Sequence, residues 1–238
     1  MIDINKVPLI DFNDKNTIRL IPTAFIEEPA LKPLADNEDD LDILANIEML
    51  TSTRQNKNIT LPIRVDPNEL PTQAYGFGWT YINAAFCYTH LNGNRFNSKN
   101  RGAWYASFGK NAIITSQAEV AYHLTKELDN VGKYENITNY REIIAGFITN
   151  FYDLRKYDDH NFLHSDEKIA YPAGQLLADS MLQNDANGII YPSKRHDGGQ
   201  CLVAFKPHLI QNIRHGATWQ FNWNGNRKPT ISRAKDFG

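Results

Sequence analysis

An excess of positive charge is the first thing that this sequence lacks. Its 238 residues contain 25 lysines and arginines against 27 aspartates and glutamates, a formal net charge of −2. Binding to nucleic acid depends largely on cations that neutralise phosphates, so direct binding to nucleic acid is not expected. Cysteine is also scarce, because only Cys87 and Cys201 are present, without CxxC spacing. This excludes a disulfide framework and is typical of free thiols in a reducing compartment.

Long apolar runs and an export signal are also missing. Residues 70–94 carry no Asp, Glu, Lys or Arg, but their amides, threonines and histidine are too polar for a bilayer span. We interpret this stretch as buried protein interior. The apolar piece at residues 7–10 is too short for a signal peptide and has Asp11 beside it. These absences favour a cytoplasmic protein that does not enter a membrane.

The composition that remains is that of a globular domain. Hydrophobic residues make up 42% of the chain, aromatic residues 11% and charged residues 22%, which is close to ordinary usage in soluble proteins. No internal repeat is visible. The length therefore predicts a single domain over residues 1–238.

Periodicity predicts an irregular mixture of strands and helices. Alternating or β-branched and aromatic segments predict strands, helical spacing predicts helices, and residues 76–87 fit either. We expect an α+β fold with a mixed or antiparallel central sheet and flanking helices. The predicted strands are residues 17–21, 103–108, 140–147, 151–154, 188–191, 200–205 and 219–223, and the predicted helices are 41–50, 116–128 and 172–183.

Glu119 is the acid of greatest interest. The spacing Ser116-x-x-Glu119 predicts the start of a helix after a turn, with Val120, Leu124 and Leu128 facing inward. A carboxylate there can face a cleft, but the same spacing is a capping box, in which Glu119 only satisfies a backbone N–H. His123, one turn later, is a candidate partner of Glu119, although a helical histidine is more often merely exposed or hydrogen-bonded.

Other reactive residue types give weaker signals. His160 and His164 have the spacing of a zinc helix but lack its glutamate, so no metal site is expected. The two cysteines have apolar neighbours, which indicates packed thiols. The alternation of Trp219, Phe221 and Trp223 indicates one buried face of a strand.

Two loops contain groups suited to phosphates. Arg95 lies in a turn rich in glycine and asparagine, where its guanidinium could clamp a phosphate, although a solvated loop arginine is the common case. Residues 191–199 combine hydroxyl, basic and glycine residues directly after a strand, a position that often contacts ligands. No Walker loop and no GxGxxG motif occur, which argues against kinase and Rossmann folds.

In this order, these segments resemble the RES domain family, named for its arginine, glutamate and serine. The resemblance extends over residues 17–225 and implies a core at about 70–207, with an N-terminal extension at 1–69 and a C-terminal strand segment at 208–238. The segments that carry it are 93–96, 102–106, 118–123, 188–193 and 198–207, while 18–22, 50–54 and 219–225 are similar to a longer subgroup.

The resemblance implies a fold like that of ADP-ribosyltransferase toxins and a site for NAD+. Arg19 and Arg95 would hold the diphosphate, and Tyr105 would stack against nicotinamide or its ribose. Glu119 would face the ribose carbon, and Ser193 would support the substrate or Glu119 through a hydrogen bond. Of these five, Glu119, Arg95, Tyr105 and Ser193 are implied to be catalytic, and all except Glu119 are implied to bind the dinucleotide.

The resemblance also implies a function. Many RES proteins are toxins of toxin–antitoxin pairs that consume NAD+, which would be the substrate, and no separate cofactor is expected. We expect an NAD+ glycohydrolase or phosphorylase that is neutralised by a helix-turn-helix antitoxin. The alternatives are transfer of ADP-ribose to a protein, and a non-catalytic module that binds an antitoxin or another protein. A homodimer is left open.

Overall fold

The computed structural model describes residues 2–25 and 61–234. The predicted helix at 41–50 and the segment at 50–54 lie outside these residues. Within them, seven strands form one mixed sheet in the order β1-β2-β5-β4-β3-β6-β7. The strands are β1 (Leu9–Pro22), β2 (Trp104–Phe108), β3 (Glu135–Asp153), β4 (Gly188–Pro192), β5 (Gln200–Ala204), β6 (Gln211–Asn224) and β7 (Thr230–Arg233).

The sheet closes on itself through β1. This strand pairs with β3 over most of its length and also with β2, through Ile18 and Ser107. The pairings therefore join β1, β2, β5, β4 and β3 into a ring, and β6 and β7 extend the sheet from β3. The pairing of β3 with β4 is parallel, and the others are antiparallel.

In the described part of the chain, three α-helices pack around this sheet: α1 (Trp79–Cys87), α2 (Ala112–Val131) and α3 (Glu167–Gln183). The α+β class with a mixed sheet is thus confirmed, and the ambiguous segment at 76–87 is largely helical. None of the helices among the described residues is both long enough and apolar enough to cross a membrane.

The predicted capping box at the start of α2 is wrong. The helix begins at Ala112, so Ser116 and Glu119 both lie inside it. The Ser116 hydroxyl donates to the carbonyl of Ile18 on β1 (2.8 Å), and it does not cap a helix. Glu119 is therefore free of a capping role. The inward face of the helix is as predicted, because Val120, Leu124 and Leu128 pack against a core cluster.

Three other local predictions are corrected. The separate strands at 140–147 and 151–154 are one strand, β3, because residues 148–150 continue its pairing with β1. The helix predicted at 172–183 begins earlier, at Glu167, since Asp166 caps it by accepting from the Lys168 N–H (2.9 Å), and Pro172 therefore lies inside it. The uncharged stretch at 70–94 is only partly interior, because Phe86 is fully buried whereas Leu91 is 80% exposed.

A glycine in α3 allows the helix to approach the Arg95 turn. A Cβ built on Gly174 would lie 2.1 Å from the carbonyl oxygen of Arg95, which is far too close for a real contact. The closeness of α3 therefore depends on the missing side chain at this position.

We predict that Gly174→Ala destabilises the protein although alanine is the better helix former. Overpacking typically costs about 1–3 kcal/mol, which exceeds the gain of roughly 1 kcal/mol from helix propensity. Chemical denaturation measures the difference. Leu176→Ala, in the same helix but 60% exposed, is the control and should change stability by less than about 0.5 kcal/mol. A more stable Gly174→Ala variant would contradict the packing described here.

Candidate active site

One cavity of about 650 Å³ brings four of the predicted site residues together. Arg19 reaches it from β1, Tyr105 from β2, Glu119 from α2 and Arg95 from the turn before β2. Its volume is in the range of sites for ligands of cofactor size. The fifth predicted residue, Ser193, follows β4 and contacts the cavity through Glu119.

The Glu119 carboxylate is held at one oxygen. Its Oε1 accepts a hydrogen bond from the Ser193 hydroxyl (2.6 Å) and lies 3.8 Å from the Cys201 sulfur. Its Oε2 has no hydrogen-bond partner among residues 2–25 and 61–234. The carboxylate is therefore oriented by one oxygen and leaves the other for a ligand.

Ser193 is itself fixed by its own loop. Its hydroxyl oxygen accepts from the backbone N–H groups of Arg195 and His196, both at 3.1 Å. Because a hydroxyl has a single proton, these two bonds leave that proton for Glu119. The loop thus sets both the position of Ser193 and the direction of its donation.

Arg95 is a buried arginine rather than a solvated one. It is only 8% exposed, and its Nη1 donates to the carbonyls of Phe162 (2.9 Å) and His164 (3.1 Å). These bonds orient the guanidinium from the side of the residues that precede α3. No carboxylate forms an ion pair with Arg95 in the described part of the chain, so its charge is available to an anion.

Tyr105 connects β2 to the Arg95 turn. Its hydroxyl accepts from the Phe96 N–H (2.9 Å) and donates to Asn97 Oδ1 (2.9 Å). Burial raises the pKa of Tyr105 well above its ordinary value, so the hydroxyl stays protonated. The hydroxyl is therefore used to hold the turn, while the residue also lines the cavity.

Arg19 lies beside Tyr105 and over an aromatic ring. Its Nη1 donates to the Tyr105 carbonyl (3.3 Å), and its guanidinium carbon is 5.1 Å from the centre of the Trp104 ring. Burial lowers the pKa of Arg19 to about 10, an effect partly opposed by Tyr105. The guanidinium remains protonated at neutral pH, and the ring favours its charge.

His123, predicted as a candidate partner of Glu119, lies instead beside Glu167, in a group of charged and aromatic residues on the same cavity whose other members sequence reasoning missed. Glu167, at the start of α3, receives a hydrogen bond from Lys126, and its Oε1 lies 3.6 Å from His123 Nδ1 and 3.8 Å from Arg195 Nη2. Tyr171 also lines the cavity. The spacing of Glu119, His123 and Lys126 places them on one face of α2, and that signal could have identified Lys126.

Arg195 belongs to the loop motif at residues 191–199. Its side chain is 9% exposed, its guanidinium carbon lies 3.4 Å from the centre of the Tyr122 ring, and its Nη1 donates to the Ser165 carbonyl (3.0 Å). Arg195 therefore joins the Ser193 loop to α2 and to the residues just before α3.

Of the remaining candidates, only Cys201 lines the cavity, where its sulfur lies beside Glu119. Cys87 and Cys201 are free and buried, and burial raises the pKa of the Cys87 thiol to about 11. Among the described residues, no three His, Cys, Asp or Glu side chains are arranged to hold a metal ion. Phe221 and Trp223 are fully buried, as predicted, whereas Trp219 is half-buried and donates to Glu142 Oε1 (2.6 Å).

Comparison with known proteins gives the family. The sequence profile of the RES domain matches residues 57–224, most of the chain, and the protein belongs to the RES domain family. A solved structure, the M. tuberculosis MbcT-MbcA toxin-antitoxin complex, aligns with a TM-score of 0.44 at 12% identity, over 90% of this chain and 87% of that one. A search of curated proteins finds no match.

We predict that Tyr105→Phe destabilises the protein by about 1–3 kcal/mol, because it leaves the Phe96 N–H without its acceptor. Urea denaturation measures the change. Tyr152→Phe is the matched control, since the Tyr152 hydroxyl has no hydrogen-bond partner in the described part of the chain. Equal stability of the two variants would show that the Tyr105 hydroxyl does not hold the turn.

Proposed function

We propose that this protein cleaves the bond between nicotinamide and ribose in NAD+. The observation that carries the proposal is the placement of an oriented carboxylate, Glu119, in one cavity with two arginines, Arg19 and Arg95. Membership of the RES domain family supports it, because the resemblance assigns these three residues to the same reaction.

The chemistry suits a carboxylate that acts by its charge. Nicotinamide leaves C1′ of the ribose with the electron pair of the broken C–N bond, so the pyridinium becomes neutral and positive charge develops on the sugar. Water or inorganic phosphate then forms the new bond to C1′ and releases a proton. Water yields ADP-ribose, and phosphate yields its 1-phosphate.

The magnitude of this effect is substantial. At about 4 Å and an effective dielectric constant of about 20, the attraction between the carboxylate and the sugar cation is roughly 4 kcal/mol. This corresponds to about a thousandfold in rate if it acts only in the transition state. The figure is an upper limit, because the substrate pyridinium already carries positive charge.

The arginines supply the positioning. Guanidinium groups bind phosphate oxygens through charge-assisted hydrogen bonds, and the backbone carbonyls that hold Arg19 and Arg95 fix where those groups lie. Holding the diphosphate would place C1′ in a fixed position relative to Glu119 and lower the entropic part of the barrier.

The family resemblance also implies a role for this reaction in the cell. Consumption of NAD+ in the cytoplasm would deplete the pool on which growth depends, so the protein would act as a toxin. A small helix-turn-helix antitoxin that covers the cavity would be its partner. Transfer of ADP-ribose to a protein and antitoxin binding without catalysis are the competing functions.

We predict that the purified protein consumes NAD+ and that Glu119→Gln lowers kcat by about a hundredfold to a thousandfold. Mass spectrometry after incubation with and without phosphate identifies the acceptor. Glu135→Gln, an exposed position on β3, is the control with the same change of charge and should retain full turnover.

The same incubation separates the competing functions. A mass increase on a protein would favour ADP-ribosyl transfer. No loss of NAD+ from the native protein, freed of any antitoxin, would favour the binding module. Full turnover by Glu119→Gln would show that another group is the central acid.

We predict that Arg19→Gln raises the KM for NAD+ by about tenfold to a hundredfold, since a hydrogen bond to a charged group contributes about 1.5–3 kcal/mol. Glu119→Gln should raise KM less and lower kcat more. Steady-state kinetics give both constants. Equal effects on KM in the two variants would contradict the assignment of Arg19 to the diphosphate.

A further inference from the structure

The cations of the cavity differ in whether a carboxylate compensates their charge. Five lysine and arginine side chains line it: Arg19, Arg95, Lys126, Lys194 and Arg195. An anionic ligand interacts most strongly with those that have no carboxylate beside them, because a paired cation presents a much weaker field. The pairing pattern therefore limits how many anionic groups the cavity accepts.

Three of these cations are compensated. Lys126 donates to Glu167 Oε2, and Arg195 Nη2 lies 3.8 Å from Oε1 of the same carboxylate. Lys194 donates to Asp158 Oδ1 (2.8 Å). Burial tends to raise the pKa of Glu167, but Lys126 and His123 outweigh it and hold that pKa below its ordinary value. Glu167 is therefore an anion at neutral pH.

The other two cations are not compensated. Arg19 and Arg95 donate to backbone carbonyls, and neither forms an ion pair with a carboxylate in residues 2–25 and 61–234. Two uncompensated guanidinium groups match the two negative charges of a diphosphate. A third phosphate would meet no such group, and it would add about −1.5 to −2 of charge to a cavity that also holds the Glu119 and Glu127 carboxylates.

We infer that the cavity selects a dinucleotide whose only phosphates are those of the diphosphate, so NAD+ is preferred to NADP+. The inference rests on the proposed function and deepens it. Glu167 is the specificity-determining residue, because it occupies Lys126 and Arg195 and so withholds them from a 2′-phosphate. Removal of its charge frees both cations.

The test uses two ligands that lack the scissile bond, so that turnover does not interfere. These are ADP-ribose and ADP-ribose phosphorylated at the adenosine 2′ oxygen. Isothermal titration calorimetry of the native protein should give a Kd at least about tenfold lower for ADP-ribose. In Glu167→Gln the Kd of the 2′-phosphorylated ligand divided by the Kd of ADP-ribose should fall by about tenfold. High salt should reduce this fall, because Lys126 is half-exposed and its attraction for the 2′-phosphate is screened.

Three further variants isolate the cause. Lys126→Met added to Glu167→Gln should restore much of the original discrimination, because it removes one of the two cations that were freed and the other, Arg195, is still held by the Ser165 carbonyl and the Tyr122 ring. Asp158 is 61% exposed and lies outside α3. Asp158→Asn removes the carboxylate that pairs with Lys194 and should also lower the ratio of the two Kd values. Glu135→Gln changes the net charge equally at a distance and should leave the ratio unchanged.

The outcomes separate this inference from the proposed function. Equal Kd values in the native protein, binding of neither ligand, or an unchanged ratio of the two Kd values in Glu167→Gln would overturn the inference, whatever the rate of NAD+ cleavage. Discrimination that is lost in this variant would support it even if NAD+ were not cleaved. If Glu167 had only a structural role, Glu167→Gln would weaken the binding of both ligands equally and leave the ratio of the two Kd values unchanged.

Discussion

The hydrogen bond from Ser193 to Glu119 is the contact on which the rest of the site depends. It joins a helix, α2, to the loop after β4, two elements that are distant in sequence. The loop presents the hydroxyl because two of its own backbone N–H groups occupy the Ser193 oxygen. The carboxylate therefore has a fixed orientation before any ligand arrives, which would lower the reorganisation required in the proposed reaction.

Arg19 and Arg95 are also oriented by only a few contacts each. Arg95 is held by backbone carbonyls from the segment before α3, and Tyr105 holds the turn that carries Arg95. Arg19 in turn donates to the carbonyl of Tyr105. Neutral carbonyls orient the two guanidinium groups without compensating their charge, whereas Glu167 and Asp158 compensate the other cations of the cavity. The uncompensated positive charge of the cavity is thus confined to Arg19 and Arg95.

Much of this architecture could be predicted from the sequence, because strands with alternating or apolar patterns and amphipathic helices leave local signals. The α+β class, β2, β4, β5 and the inward face of α2 follow from such patterns. The start of α2 did not, because Ser116-x-x-Glu119 has capping spacing by coincidence and a tertiary contact to Ile18 uses the serine. The predicted start of α3 at residue 172 was also too late, since Asp166 caps the helix about one and a half turns earlier.

The site itself was only partly accessible to sequence reasoning. Family resemblance pointed to Arg19, Arg95, Tyr105, Glu119 and Ser193, and the fold places the first four on one cavity. Their roles in catalysis stay predictions. The pairing of Glu167 with Lys126 and Arg195 could not be predicted, because these residues come from three separate segments and no local period connects them.

The closure of the strand ring carries a consequence for motion. A single residue pair, Ile18 with Ser107, joins β1 to β2, and both of its members line the cavity. The ring is therefore least secured beside the place where a ligand would sit, and local opening of a fold begins where few backbone bonds resist it. Separation of Ile18 from Ser107 would move Arg19 away from Tyr105 while β1 stayed paired with β3, and the pocket would then widen without unfolding of the sheet.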